Sequence, residues 1–388
     1  MVSTSFAREE VVQGLVRDAS LAPSLHNAQP WRFLYSRGGD CITLRADPGR
    51  TVPQSDPELR SLHLGCGAAL FNLRVAAQNA GFRPVVTLLP DPDDWQTLAS
   101  VSLRETAQTL DGGLWRLYGA IAERRTGDFP FVERPIPVDL ADLLIGEARA
   151  EGARMAFLSG WHLSLVLDVI EEAELDETGG GPDGGETDAA RWARTGVQLS
   201  DAVPEETAAY ERAAGGTTAA ETAMDGASAH SGTHSNGAEA DAHRRGHTDG
   251  AGTVDGSRRS NGGGNGGGNG NGAPVRDFTR GRSQPAIGAA TPDEGHLPHL
   301  GLLCTEHDHP VDWLIAGQAM ERMVLTATRE GLATSFASKA LERPELRWLL
   351  RDPVWGAGPV QMVIRMGYGR LGPPTARRPV GEVLEVIP

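Results

Sequence analysis

Two groups of polar side chains have types and spacing that could do chemistry. The first lies in APSLHNAQPWRF (22–33), where Ser24, Asn27 and Gln29 put short polar groups on a loop bracketed by Pro23 and Pro30. Such a loop can present hydroxyl and amide groups to a ligand, or it can pin a helix-to-strand turn. The second group is cationic: Arg124 and Arg125 beside Thr126, and the Arg377-Arg378 pair ahead of Pro379. Guanidinium and hydroxyl groups can hold an anion, although arginines of this kind are also common on a solvated surface. His26 could move a proton near neutral pH or be a packed turn residue. Two apparent motifs fall away. Gly65-Cys66-Gly67 sits inside a helical pattern with no strand before it, so it is no dinucleotide fingerprint. Glu306-His307-Asp308-His309 resembles a metal cluster, but it abuts a helix start at Pro310, where Asp308 reads as part of the N-terminal cap.

The elements that must position these groups are legible nearby. Val11, Val12, Leu15, Val16 and Ala19 recur at helical spacing ahead of the 22–33 loop. WRFLYS and CITLRAD, joined across Arg37-Gly38-Gly39-Asp40, read as a hairpin. A long helix over Leu59–Ala80 stops at Gly81, and RPVVTLLP follows as a strand. Self-similarity then links the halves. HLGCGAALFNLRVAAQNAGF (63–82) and WLIAGQAMERMVLTATREGL (313–332) align at an offset of 250 residues, pairing Gly67 with Gly317 and Gly81 with Gly331. Matched small residues let two helices approach closely. If the match is a duplication, the halves pack like the subunits of a symmetric dimer.

Composition bounds the rest. The chain has 388 residues with 36 Lys+Arg against 51 Asp+Glu, a net charge of -15, so no basic field gathers nucleic acid. Lys339 is the only lysine. Cys41, Cys66 and Cys304 are too few and too scattered for a disulfide framework and suit a reducing cytosol. No long apolar run predicts a membrane span, and no secretion signal opens the chain. Residues 211–272 hold only Met224 and Val254 as large apolar groups and end in NGGGNGGGNGNG, the pattern of a disordered insert. Its four histidines lack cysteine partners or a rigid scaffold, so no metal is expected there. Residues 171–210 carry eleven acids against two arginines and are expected to be mostly loop, with a short helix around 189–197. The folded body therefore spans about 1–175 and 274–388.

The 22–33 segment resembles the Ala-Pro-Ser-x-x-Asn-x-Gln-Pro-Trp signature of the FMN-dependent nitroreductase family, in the form of its actinobacterial Acg-type branch. ERRTGDFPF (123–131), VRDF (275–278), 312–335 and GYGRLGPPTARRPVGEVL (367–384) agree with that branch. The resemblance covers nearly all of 1–200 and 274–388. It implies an α+β fold with a central, mostly antiparallel sheet flanked by helices, here as a fused pseudo-dimer. The expected parts are a first half (1–120), the start of the second half with an acidic lid or linker (121–204), a disordered insert (205–273) and the remainder of the second half (274–388).

The resemblance also implies one FMN per chain, with its phosphate held by Arg124, Arg125, Thr126 and Arg377. Ser24, Asn27 and Gln29 would reach the cofactor from the other half. The loop after Gly331, through Ala337 and Ser338, would lie along the ring edge near N5. Asp128 departs from the family clamp, where a base is expected, and Arg378 reads as an outer or solvent group. Lys339 could face reduced flavin. ARAEGARMAFL (148–158), the counterpart of the 22–33 segment, lacks its polar groups. The implied activity is hydride transfer from NADH or NADPH through FMN to a small electron-poor acceptor, a nitro compound or quinone, in a cytoplasmic monomer. The alternative is a non-catalytic FMN-storage protein whose flavin is covered by an internal lid.

Overall fold

A computed structural model describes residues 2–53, 55–105, 113–127, 131–132, 134–178, 299–351, 356 and 358–388. These belong to one unit, Met1–Gly216 with Asp277–Pro388, and Thr217–Arg276 form a second unit that lies outside the described residues. The first half runs α1 (Val2–Ala19), β1 (Trp31–Ser36), β2 (Cys41–Ala46), α2 (Arg60–Asn79), β3 (Phe82–Leu88) and β4 (Thr97–Glu105). After α3 (Tyr118–Glu123), the second runs α4 (Val138–Ala150), β5 (Arg154–Phe157), α5 (Gly160–Thr178), β6 (His299–Cys304), α6 (Pro310–Arg329), β7 (Ala333–Phe336), α7 (Pro344–Leu349) and β8 (Val360–Gly367). α8 (Val380–Val383) and β9 (Leu384–Ile387) close the chain.

Among the described residues there are two sheets instead of one central sheet, ordered β3-β4-β2-β1-β9 and β5-β6-β8-β7. Reading β1–β4 as β5–β8, the order is the same in both. Each sheet also has an irregularity in the same place, between Leu44 and Arg45 on β2 and between Leu303 and Cys304 on β6. α2 packs on the first sheet, α6 on the second, and the two helices pack on each other. This helix pair stands between the ladders, which is why the strands of the two halves do not form the single sheet expected. Among the described strands only β9 crosses over: it pairs in parallel with β1, Phe33 opposite Leu384 and Ser36 opposite Ile387.

The contact between α2 and α6 is reciprocal. A Cβ on Gly67 would collide with the Leu314 carbonyl oxygen and lie 3.0 Å from Gly317 Cα. On Gly317 it would collide with the Leu64 carbonyl oxygen and lie 2.9 Å from Gly67 Cα. Both partners are related by the offset of 250 residues seen in the sequence. Two helices this close are buried on nearly every side, which accounts for their almost continuous apolar and small residues.

Two further expectations change. α5 continues to Thr178, so the first residues of the acidic 171–210 stretch are helical, not loop. The cap of α6 is His309, whose backbone N–H donates to Asp312 at 3.1 Å, and Asp308 has other partners. The expected short helix at 189–197, the disordered insert, its histidines, VRDF and Asp128 lie outside the described residues. None of the three cysteines is in a disulfide. Among the described residues, no helix is long and apolar enough to cross a membrane.

Candidate functional site

The polar loop follows α1 and runs over α2 before entering β1. Its backbone is unusual. His26, Asn27 and Gln29 have φ of 48°, 59° and 53°, the left-handed region that side chains other than Gly and Asn rarely adopt. Backbone strain of this kind costs about 1–3 kcal/mol per residue and persists only where surroundings impose it, typically at functional sites. Here the surroundings are visible. Ser24 Oγ accepts from the Gln29 N–H at 2.9 Å, and the Pro30 carbonyl accepts from Cys66 Sγ on α2 at 3.3 Å. Gln29 is fully buried; its Oε1 accepts from the Arg378 N–H at 2.8 Å, and its Nε2 donates to the Asn27 carbonyl at 3.4 Å.

Two arginines distant in sequence converge on this loop. Arg124, leaving α3, donates from Nη2 to the Leu21 carbonyl at 2.9 Å and from Nη1 to Thr126 Oγ1 at 3.4 Å. Arg377 donates to the same Leu21 carbonyl at 3.2 Å, to Ala22 O at 3.1 Å and to Asn27 Oδ1 at 3.0 Å. Asn27 Nδ2 completes the connection by donating to Ala376 O at 3.2 Å. The structure thus brings Ser24, Asn27, Gln29, Arg124, Thr126 and Arg377 together. Arg125 stays apart, folding back so that its Nη1 donates to the Ala122 and Arg124 carbonyls, each at 2.7 Å. Thr126 bridges in parallel to Thr334 on β7, and the Gly127 N–H donates to the Thr334 carbonyl at 3.3 Å, which ties the cationic corner to the second sheet.

The electrostatics of this corner are those of a crowded cation pair. Burial and the charge of Arg124 hold the Arg377 guanidinium down to about 10, while Glu321 pulls the other way. Burial also lowers Arg124, and Glu321, whose Oε1 lies 3.6 Å from Arg124 Nε, opposes the shift. The Nε atoms of Arg124 and Arg377 are buried without a hydrogen-bond partner.

The expected ring-edge segment continues from β7. The Ala337 N–H is already committed, donating to the Val363 carbonyl at 3.0 Å, so in this arrangement it is not available to a ligand. Ser338 Oγ donates to Glu342 Oε1 at 3.2 Å, and His26 Nε2 stands 3.7 Å from the same carboxylate oxygen. Burial pushes Glu342 up, but His26, Ser55 and Ser338 more than offset this and hold it below the usual carboxylate range. His26 and Glu342 thereby join the polar loop to the segment that contains Ser338 and Lys339. Beside them lies a small, open cleft lined by Asp56, Arg60, Glu342 and Arg347.

No family model matches the chain. Curated relatives do. A Mycobacterium tuberculosis protein named "Putative NAD(P)H nitroreductase" is 27% identical over 99% of this chain and 94% of its own length. A second from the same organism, "Putative NAD(P)H nitroreductase acg", is 37% identical over 126 residues, 32% of this chain and 37% of its own. A third, named as an uncharacterized protein, is 25% identical over 95% of this chain and 91% of its own length. The chain is a relative of the nitroreductase family.

Several residues of this nitroreductase relative escaped the motif reading. Glu321 is fully buried on α6, and neither carboxylate oxygen has a hydrogen-bond partner. Burial pushes it up to about 7 against the pull of Arg124, Asn72 and Arg377. Asn72 on α2, also fully buried, stands close enough for its amide to favour the charged carboxylate. In the sequence both are polar interruptions of apolar helices, a signal that was present but pointed to no ligand. Arg378, expected to be an outer or solvent group, is buried: its Nη1 donates to Gln29 O at 3.3 Å and Asp47 Oδ2 at 3.1 Å. It therefore supports the loop from beneath.

Proposed function

We propose that this chain is an FMN-binding oxidoreductase of the nitroreductase type, passing hydride from NADH or NADPH to a small electron-poor acceptor such as a nitro compound or quinone. The observation that carries this reading is the meeting of Arg124 and Arg377 on one carbonyl of a strained polar loop, Arg124 buried and Arg377 half-buried, each with a buried Nε that has no hydrogen-bond partner. Two desolvated cations side by side repel, and an anion between them relieves both the repulsion and the missing hydrogen bonds. Thr126 adds a hydroxyl and Asn27 an amide, so the donor set suits a phosphate monoester. FMN would supply, when bound, a ring that accepts hydride and delivers it onward, chemistry for which no protein nucleophile is needed.

The chain's own residues would bind and orient. Arg124, Arg377 and Thr126 take the phosphate, while Ser24, Asn27 and Gln29 shape the loop that faces the cofactor. Along the ring edge, Ala337 would have to exchange its bond to Val363, and Ser338 its bond to Glu342, to meet a ligand. Full-length relatives named as NAD(P)H nitroreductases support the reductant and the class of acceptor.

The same reading takes the chain as a fused pseudo-dimer acting as a monomer, with its halves at about 1–120 and 121–388. The shared strand order, the matched irregularities and the reciprocal Gly67–Gly317 contact support it. The test is to titrate the purified flavin-free protein with FMN, then add NADH or NADPH without oxygen. Flavin uptake followed by bleaching of the yellow colour is expected. Uptake without bleaching would turn the reading toward flavin storage, and no uptake would overturn it.

A further inference from the structure

Glu321 has no place in a phosphate site as charge alone would design it. It is a fully buried carboxylate, 3.6 Å from a cation that the proposed cofactor's phosphate would also need. Beyond the Arg124 ion pair and the Asn72 amide, neither oxygen has a partner among the described residues, so it is not a structural acceptor for the helix backbones around it. Every element packed against it contributes to the balance. α3 ends in Arg124 with Arg125 beside it, the C-terminal segment brings Arg377, and α2 brings the uncharged Asn72. The neighbouring charges of α2, α4 and α6 are engaged elsewhere. Arg74 pairs with Glu151 at 2.6 Å, and Arg322 pairs with Glu147 and with Glu151. Glu321 is therefore the anion that faces the Arg124–Arg377 pair from inside the fold.

We propose that Glu321 is the built-in counter-anion of the Arg124–Arg377 pair and takes up one proton when a phosphate monoester occupies that pair. This rests on the cofactor reading above. With the pair empty, a single carboxylate offsets two desolvated guanidinium groups. A phosphate dianion placed there makes the carboxylate redundant, and two anions in one buried corner repel. The proton comes from solvent and settles on a Glu321 oxygen, leaving Arg124 and Arg377 to the phosphate. Burial already brings the carboxylate to the edge of protonation at neutral pH, near 7, so the second anion has little further to push it.

The consequence is a phosphate affinity that falls as pH rises through neutrality. For an acid titrating near 7 that must be protonated in the complex, binding weakens roughly twentyfold between pH 6.5 and 8.5. Calorimetric titration of the flavin-free full chain with FMN at pH 8, in two buffers of different ionisation enthalpy, counts protons directly. Uptake approaching one proton is expected with FMN. None is expected with riboflavin, which lacks the phosphate, and none with FMN added to Glu321→Gln. FMN binding to the wild-type chain without proton uptake would overturn the inference and leave the cofactor reading intact. Equal uptake with riboflavin would do the same and needs no variant to fold. No binding of FMN at all would overturn both.

Discussion

In the flavin-free protein, Glu321→Gln should change the pH dependence of stability more than stability itself. A carboxyl held at about 7 in the folded chain, against 4.5 when exposed, favours the folded state only while it is protonated. The gap, at 1.36 kcal/mol per unit, is about 3 kcal/mol. The sign follows from proton counting. Between pH 4.5 and 7 the folded chain binds more protons than the unfolded one, so raising pH removes stability, and above about 7 the loss is complete. Glutamine has nearly the same shape and never ionises, so its own offset is constant with pH. The stability of the variant minus that of the wild type should therefore rise by about 2–3 kcal/mol from pH 5 to pH 8. Urea unfolding of both proteins at several pH values in that window measures this difference, and shifts shared by all other groups cancel. A difference constant across the window would refute the reasoning, because it would mean that Arg124 and Arg377 hold Glu321 ionised throughout.

Other outcomes follow from single contacts. Gly67→Ala should cost at least about 2 kcal/mol, because its Cβ meets backbone of α6 that cannot give way, whereas Gly119→Ala, with open space around it, should be close to neutral in the same urea assay. Asp308→Asn should cost about 2 kcal/mol at pH 7. Burial raises the Asp308 carboxyl, but donors from Arg347, Trp313 and Gln361 bring it down to about 2, so its contribution is present above the ordinary carboxylate range and disappears as pH falls through 2. Arg377→Gln should weaken FMN binding by about 1.5–3 kcal/mol, measured by flavin fluorescence, with a smaller effect on riboflavin.

How much of this was legible in the sequence depends on the range of the interactions involved. α1, α2, β1, β2 and β3 are each announced by local periodicity and by stop signals such as Gly81; the bounds of α2 and the three strands agree with the pattern within one or two residues, whereas α1 ends at Ala19 as read but begins at Val2, well before the first position of its pattern. The Gly67–Gly317 register was legible because small residues at a helix crossing leave a mark at both ends of a repeat. The separation into two sheets was not, since strand order depends on what lies between the ladders. At the site, Arg124, Arg377 and the 22–33 loop could be named because their residue types are distinctive. Arg125 could not be told from Arg124 by type; only the fold turns one inward and lets the other fold back on its own helix end. The strain at His26 and Gln29 left no mark either, because neither residue type advertises a left-handed backbone. Glu321 was hidden for the opposite reason: one acid in a long helix reads as solvated until the helix is found to be buried on that side.

The repeat register also argues for one cofactor per chain. At the offset of 250 residues, Glu321 corresponds to Phe71 and Arg322 to Asn72. Phe71 packs in an apolar cluster with Val75, Leu117, Ala120 and Ile121, and Arg322 is neutralised by Glu147 and Glu151. Neither the buried carboxylate nor the buried amide beside the cationic corner is therefore repeated on the equivalent side of the helix pair. The counterpart of the 22–33 loop, ARAEGARMAFL, forms the end of α4 and β5 without the Ser, Asn and Gln of the original. On the pseudo-dimer reading proposed above, with the donors kept on one side alone, the chain should take up one FMN and not two. The ratio of flavin to protein absorbance in the saturated chain measures this, and a value near two would contradict the assignment of these donors to a single site.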